Sequence, residues 1–388
     1  MKKTPSFVIM PDSFKGTMSS AEICDILTAR ILSFYPRAGV IAMPVADGGE
    51  GSVDCFLQAM GGQKQLLTVK NPFFEDMEGF FGLLSDGRTA VVEMAACAGL
   101  PLVEERKDVL KATTYGVGQL LCRAAEMPHV TRIIMGLGGS ATNDGGCGAA
   151  CAAGVVFRDA QGEAFVPTGE SLVRIAHIDM AGLNPALVGK EIITMCDIDN
   201  PMFGPQGAAH IFGPQKGATP AIVAQLDEGV QNLAAVIQRD LGLAVAELPG
   251  SGAAGAMGAG MVAFFGARLQ MGIETVLDVV EFERAAKNAD MVITGEGRID
   301  SQSLRGKVVL GIARRAKPLG VPVVALVGDI GTAEDADSSL AAAYAQGVTG
   351  IFSINRVAVD FPNVRWRAAA DLAATMDNLL HFWESVRP

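Results

Sequence analysis

No C-x-x-C pair occurs among the seven cysteines (24, 55, 97, 122, 147, 151 and 196), and their number is odd. This argues against a zinc ribbon or a disulfide framework and predicts reduced thiols in the cytoplasm. Only four histidines are present (129, 177, 210 and 381), none in an H-E-x-x-H pattern. Ser140 lacks the second glycine of G-x-S-x-G, so the common metalloprotease and serine-hydrolase readings fall away. His210, in a polar stretch between glycines, is the histidine to follow. The P-loop pattern G-x-x-x-x-G-K-[ST] is missing as well, which removes that nucleotide cradle. Near the N-terminus the apolar stretch is only residues 7–10 before Pro11 and Asp12. It is too short for a signal-peptide core and reads as a buried first strand.

One uncharged run, LPGSGAAGAMGAGMVAFFGA at residues 248–267, is long enough to cross a bilayer but carries six glycines. The composition favours a glycine-rich loop feeding a tightly packed helix. Acidic side chains number 42 against 31 basic ones, a formal charge of −11. Such a surface repels phosphate backbones and anionic lipid, so nucleic acid and membrane are poor partners. Any site for an anion must concentrate positive charge locally. At 388 residues, 49% hydrophobic, the chain is long enough for two or three domains with real cores.

Short apolar runs at residues 7–10, 40–43, 132–135, 192–196, 291–294, 323–327 and 350–353 read as strands. Amphipathic segments at 20–34, 307–317, 334–346 and 364–383 read as helices, the first capped by Ser19 or Ser20. Continuous apolar strands alternating with helices predict parallel pairing with both sheet faces covered. Between about 65 and 280 the pattern changes to hairpin-like pieces (65–69, 79–84, 89–94) and long glycine-rich loops. The expected fold is α/β: a discontinuous flavodoxin/Rossmann-like doubly wound parallel sheet from residues 1–65 and 281–388, with a second α/β domain inserted at 66–280. Ligands of such sheets collect at strand carboxyl ends, which directs attention to the loops after Met10, Met43, Thr294 and Val327.

Four polar, glycine-rich segments follow strand-like runs. Pro11-Asp12-Ser13-Phe14-Lys15-Gly16 sets a cation beside a helix start, where an anion finds free N–H groups. Asp47-Gly48-Gly49-Glu50-Gly51 frames two carboxylates with three glycines, more than an ordinary turn needs, implying close backbone approach to a ligand. In Gly136-Leu-Gly138-Gly139-Ser140-Ala-Thr142-Asn143-Asp144-Gly145-Gly146, amides can converge on phosphate oxygens while hydroxyl and amide side chains add donors. Asp144 could cap the following helix or reach a metal. The same segment contains G-x-G-x-x-A with Asp159 about 20 residues on, the dinucleotide spacing, which makes an NAD-dependent dehydrogenase an alternative. That spacing recurs at residues 258–263, so it discriminates weakly. The fourth set comprises Asp197-Ile-Asp199-Asn200-Pro201, Lys216 and Glu296-Gly297-Arg298. Its carboxylates suit Mg²⁺, and its cations suit charge neutralisation during group transfer.

In order and wording, PDSFKG, PVADGGEG, GLGGSATNDGG, CDIDNP, FGPQKGA, PGSGAAGAMGAG and ITGEGRID resemble the bacterial glycerate kinases of the non-P-loop, glycerate 2-kinase type. The resemblance spans residues 7 to about 329, with small departures at Met10, Thr17, Met18, Ser251 and Met257 beside the loops. It implies a two-domain α/β enzyme with its site in the interdomain cleft, transferring the γ-phosphoryl of ATP to glycerate with Mg²⁺ and giving 2-phosphoglycerate. A kinase of another small hydroxy acid is the alternative on the same scaffold. Carried onto this chain, the resemblance implies that Lys15, Asp197, Glu296 and Arg298 are catalytic. Asp12, Ser13, Asp47, Gly48, Gly49, Glu50 and Lys216 would surround the substrate together with Lys15. Gly138, Gly139, Ser140, Thr142, Asn143 and Asp144 would hold ATP, and Asp197 with Asp199 would hold Mg²⁺. Assembly into a homo-oligomer is compatible with this reading.

Overall fold

The computed structural model describes residues 3–45, 48–299, 308–331, 333–357 and 360–387, with 333–339 by backbone alone. The chain divides into two compact units. One is built from both ends, Met1–Asp47 with Ile273–Pro388, and the other is the continuous stretch Gly48–Gly272.

Every strand of the first unit is parallel to its neighbours. The order is Val348–Ser353, Val323–Ile330, Met291–Ile299, Ser6–Pro11 and Gly39–Ala42. Phe7, Val8, Ile9 and Met10 are all fully buried. Alternate side chains of a strand point to opposite faces, so both faces of this sheet are covered. Phe7 and Ile9 join a core with Ile23, Leu27, Ile31, Leu372 and Met376, contributed by the packed helices Ser20–Phe34 and Ala368–Val386. Ser20–Phe34 begins as a helix because Ser19 and Glu22 form a reciprocal capping box, and its buried residues recur at helical spacing. The winding reverses between Ser6–Pro11 and Met291–Ile299, which places the topological switch point between those two strands.

The Met291–Ile299 strand runs past the expected 291–294, so Glu296 and Arg298 lie on the strand rather than in a loop. Its neighbour holds it that far: Arg298 pairs with Asp329 and Ile299 with Ile330 in register. Gly295 is what the close approach requires, since a Cβ there would meet the Leu326 carbonyl at 2.2 Å.

In the second unit a six-stranded sheet runs in the order Arg268–Gln270, Glu191–Met195, Arg132–Gly136, Thr89–Glu93, Asp76–Leu84 and Gly62–Lys70. The first four are parallel and the last two antiparallel. A small antiparallel sheet (Val156–Arg158, Ala164–Phe165, His177–Asp179) lies in the same unit. The boundaries fall at 47/48 and 272/273 rather than near 65 and 280. The Ser52–Met60 helix packs on Asp76–Leu84 and Thr89–Glu93, and Gly62–Lys70 is the edge strand of this sheet. At the other boundary, Arg315 of the first unit's Val308–Ala316 helix binds Glu274 at 3.2 Å and Asp278 at 2.9 Å.

The Ala253–Phe265 segment, non-helical at residues 254–256 and helical beyond them, is buried on nearly all sides, with Met257, Ala259 and Met261 fully buried. Among the described residues, no helix is long and apolar enough to cross a membrane.

Candidate active site

Three neighbouring strands of the second unit end side by side, with Glu93 paired to Gly136 and Gly136 to Met195. The loops that leave them are therefore adjacent. Residues 48–51 lie directly on 136–138: the Gly138 N–H donates to the Gly48 carbonyl at 2.9 Å. A Cβ on Gly136 would meet that carbonyl at 2.6 Å, and one on Gly138 would meet Gly49 Cα at 2.5 Å. Two of the motifs seen in the sequence thus pack backbone to backbone. Buried Glu93 fixes the same corner, accepting from the amides of Val53 (2.9 Å) and Gly51 (3.3 Å) at the start of the 52–60 helix. Burial pushes the Glu93 carboxyl up, against the pull of those two amides.

The 137–146 loop is stitched from several sides. The Leu100 amide donates to the Gly139 carbonyl, Ala141 to Ala98, and Gly145 to Gly255. Gly255 touches the loop so closely that a Cβ would meet the Thr142 carbonyl at 2.1 Å. Here Ala254 (φ 54°), Gly255 (φ 68°) and Ala256 (φ 66°) are successively left-handed. Two alanines in that region store backbone strain, which native folds retain chiefly at functional sites. The 196–201 loop joins the cluster through the Gly252 N–H, which donates to the Asn200 carbonyl at 3.0 Å.

Asp144 is fully buried. Its carboxylate accepts from the Thr114 amide (2.7 Å) and hydroxyl (2.8 Å) and from the amides of Gly146 (3.1 Å) and Gly148 (3.2 Å). Burial raises its pKa against those donors. Asp144, expected beside ATP, ties the loop to Thr114 and to the start of the Cys147–Ala152 helix. Lys216, expected at the substrate, is tied to the same loop. It is 2% exposed, and its ammonium donates to Ser140 Oγ at 2.8 Å and the Thr142 carbonyl at 2.6 Å. It clamps the loop from within. Burial pushes its pKa down to about 7, opposed by the charge of Asp144.

Of the residues expected to hold ATP, Gly139 is exposed and Gly138 half-buried, while Ser140, Thr142 and Asn143 are buried. Thr142 Oγ1 and both amide atoms of Asn143 lack a hydrogen-bond partner among the described residues. Buried polar atoms of this kind are ordinarily answered by water or by a ligand. Asp197 and Asp199 are exposed on the 196–201 loop, and Asp197 Oδ1 also accepts from the Gly272 amide at 2.7 Å. No cluster of three or more His, Cys, Asp or Glu side chains suited to a metal occurs among the described residues. Two exposed carboxylates still offer the hard oxygens that Mg²⁺ takes alongside substrate phosphate. Glu50 is exposed beside Gly49, His210 is exposed on a short helix, and Asp47 lies outside the described residues.

The first unit gathers a second set at the carboxyl ends of its strands. Phe14 and Met18 close a tight bridge, with the Phe14 amide donating to the Met18 carbonyl at 2.9 Å. This turn presents Lys15 to solvent and sets its backbone against Gly297, where a Cβ would lie 3.5 Å from the Lys15 nitrogen. Arg298 is half exposed, its Nε 3.8 Å from Asp329 Oδ2, and Glu296 is 5% exposed on the same strand. Asp12 accepts from the Ser13 amide at 2.6 Å, and its own amide donates to the Gly295 carbonyl. Thus Asp12, Ser13, Lys15, Glu296 and Arg298 share one strand-end region. A cavity of about 260 Å³ opens there, lined by residues that include Phe14, Lys15, Asp329 and Asn355.

Asp329, Asn355, Glu93 and the Thr113–Thr114 pair escaped the reading of the sequence. A charged or amide residue directly after an apolar run (VVALVGD, TAVVE) is the signal that marks three of them. The dinucleotide alternative loses its geometry. The helix after the G-x-G-x-x-A glycines starts only at Cys147, and Asp159 is taken up by Arg174 at 3.1 Å and by local amides.

Comparisons agree with this architecture. The model of the glycerate kinase family matches residues 7–384. A glycerate kinase of Halalkalibacterium halodurans is 42% identical over 350 residues, 90% of each chain. A glycerate 2-kinase of Escherichia coli K12 is 41% identical over 348 residues, covering 89% of this chain and 90% of that one. A crystal structure from Salmonella typhimurium LT2, provisionally described as a glycerate kinase 2, superposes with a TM-score of 0.87. It is 38% identical and covers 99% of both chains.

Proposed function

The chain belongs to the glycerate kinase family, and from that premise we propose that it transfers the γ-phosphoryl group of ATP to glycerate, giving 2-phosphoglycerate in the cytoplasm. The observation that carries the reading is the 136–146 loop. Its accessible part is glycine backbone at strand ends, with a cation locked beneath it, a build suited to phosphate oxygens. A bound anion would also favour the charged form of Lys216.

In the reaction an acceptor hydroxyl oxygen bonds to the γ-phosphorus as the bond to the bridging β–γ oxygen breaks, and the hydroxyl proton leaves. Through a loose transition state this chemistry needs mainly positioning and charge neutralisation. Lys15 and Arg298 would hold the acid's carboxylate or the migrating phosphoryl. Glu296 or Asp197 would orient the hydroxyl and receive its proton, and Asp12, Ser13, Gly48, Gly49 and Glu50 would shape the acceptor's surroundings. Asp197 and Asp199 would hold Mg²⁺, which when bound spreads the negative charge of the phosphate oxygens.

A coupled ADP-release assay with glycerate, tartronate, glycolate and hydroxypyruvate tests the proposal, with NMR of the product to locate the phosphate. Turnover is expected with glycerate above the other acids and the phosphate on the 2-hydroxyl. ATP consumption with another acid alone would transfer the assignment to that acid.

A further inference from the structure

Two buried hydroxyls hold the end of the Ser6–Pro11 strand, and neither is needed by the element that carries it. Ser20 opens the Ser20–Phe34 helix, yet that helix is already capped by Ser19 with Glu22. Ser20 is 4% exposed, and its hydroxyl donates to the Pro11 carbonyl at 2.6 Å while accepting from the Val45 amide at 2.9 Å. From the neighbouring Met291–Ile299 strand, fully buried Thr294 donates to the Met10 carbonyl at 2.8 Å. The last two carbonyls of the strand are thus each held by a side chain. Strand pairing shows what Ser20 adds. The ladder to Gly39–Ala42 runs in register as far as Ile9 with Ala42, and the Met43 amide still reaches the Ile9 carbonyl at 2.8 Å. At the next rung the Val45 amide lies 3.3 Å from the Pro11 carbonyl, the long end of the hydrogen-bond range. A hydroxyl can donate and accept at once, so it bridges an amide and a carbonyl that have drawn apart.

We infer that Ser20 and Thr294 are positioning residues of the strand-end site, fixing where the segment from Asp12 to Lys15 leaves the sheet. The inference rests on the kinase reading above, which sets Asp12, Ser13 and Lys15 around the acceptor. The lever is short. Only Asp12 and Ser13 lie between the held Pro11 carbonyl and Phe14, which is 3% exposed in the core of the first unit, and Lys15 follows directly. The Asp12 amide is itself bonded to the Gly295 carbonyl at 2.8 Å, so the segment has little slack. Through Val45 the same Ser20 hydroxyl sets the start of PDSFKG against the residues that lead into DGGEG. Catalysis by positioning is sensitive to displacements of an ångström, and a hydroxyl that spaces two loops acts on that scale.

Thr294→Val replaces the hydroxyl with a methyl group of similar shape, whereas Thr294→Ser keeps it. Ser20→Ala and Thr294→Val should each raise the KM for glycerate at least threefold, with the KM for ATP changed less than twofold. Thr294→Ser should stay within twofold of wild type in both. Thr375→Val is the control: in the Ala368–Val386 helix Thr375 donates a comparable buried bond to the Asp371 carbonyl at 2.8 Å, and its loss should leave both KM values unchanged. Hydrogen–deuterium exchange gives a second readout. Amides of residues 12–16 should exchange at least threefold faster in Ser20→Ala and Thr294→Val, and at the wild-type rate in Thr375→Val. A fall in kcat at unchanged KM, which a smaller folded fraction also produces, overturns the proposal, as does unaltered exchange. Should Ser20→Ala fail to fold, the two Thr294 variants decide by the same criteria. Should the wild type fail to phosphorylate glycerate, the kinase reading falls and exchange alone decides: faster exchange upholds the positioning role, and an unchanged rate defeats it.

Discussion

Two glycine-rich regions of this protein use the same residue types in opposite ways. At the strand ends of the first unit, Lys15, Arg298 and Asp329 stand in solvent. At the 136–146 loop of the second unit, Asp144 and the Lys216 that reaches it from the Pro214–Lys216 turn are buried. A charge taken out of water must be answered by the protein itself, so it becomes part of the architecture. A charge left in water is stabilised only weakly by a neighbour, as in the 3.8 Å pair of Arg298 and Asp329. The lesson is that burial, more than residue identity, decides whether a charged side chain in a glycine-rich motif holds the loop or stands in solvent.

The contrast can be broken most sharply at Asp144. Asp144→Ala leaves the amides of Thr114, Gly146 and Gly148 without their acceptor, and stability should fall by about 3–5 kcal/mol. The denaturant midpoint measures this at constant m-value. A loss under about 1 kcal/mol, within the range of ordinary substitutions, would place Asp144 outside the loop's support.

A mirror-image outcome is expected for Lys15→Ala and Arg298→Ala. Each should lower kcat/KM at least tenfold, about 1.4 kcal/mol of transition-state stabilisation. Folding stability should stay within about 0.5 kcal/mol of wild type. Wild-type kinetics in either purified variant removes that residue from the mechanism.

A pH-dependent effect concerns Lys216, whose pKa burial sets at about 7, whereas an unfolded lysine titrates near 10.4. Between these values the unfolded chain binds the proton and the native chain does not. This group's contribution to stability therefore rises with pH above about 7 and is least favourable below it. The stability of wild type relative to Lys216→Met should climb between pH 6 and 9 in urea titrations. A flat difference would mean that the buried ammonium stays charged throughout, balanced by Asp144.

The elements of the first unit were legible because each one satisfies a local rule. Phe7–Met10 is apolar enough to be buried on both faces, and Ser19 with Glu22 starts a helix whose apolar residues recur at the right spacing. The glycines of DGGEG predict close backbone approach to a ligand; what the structure shows is their approach to the GLGG backbone, with Gly48 on Gly138. The Ser52–Met60 helix was less legible, since nothing in its own residues says which sheet it will cover. The resemblance carried by FGPQKGA places Lys216 at the substrate; only the Ser140 and Thr142 acceptors, more than seventy residues away, show its ammonium buried.

Taken alone, the order of residues determined the alternation of strands and helices, the glycine-rich loops at strand ends and the kinship these loops announce. Periodicity, capping and backbone freedom act over a few residues and are written locally. The tertiary structure alone decided which unit owns each helix, where Met291–Ile299 stops and which charges are buried. Those outcomes depend on partners distant in the chain: a side chain's solvation is settled by whatever packs over it, and no stretch of residues contains that information by itself.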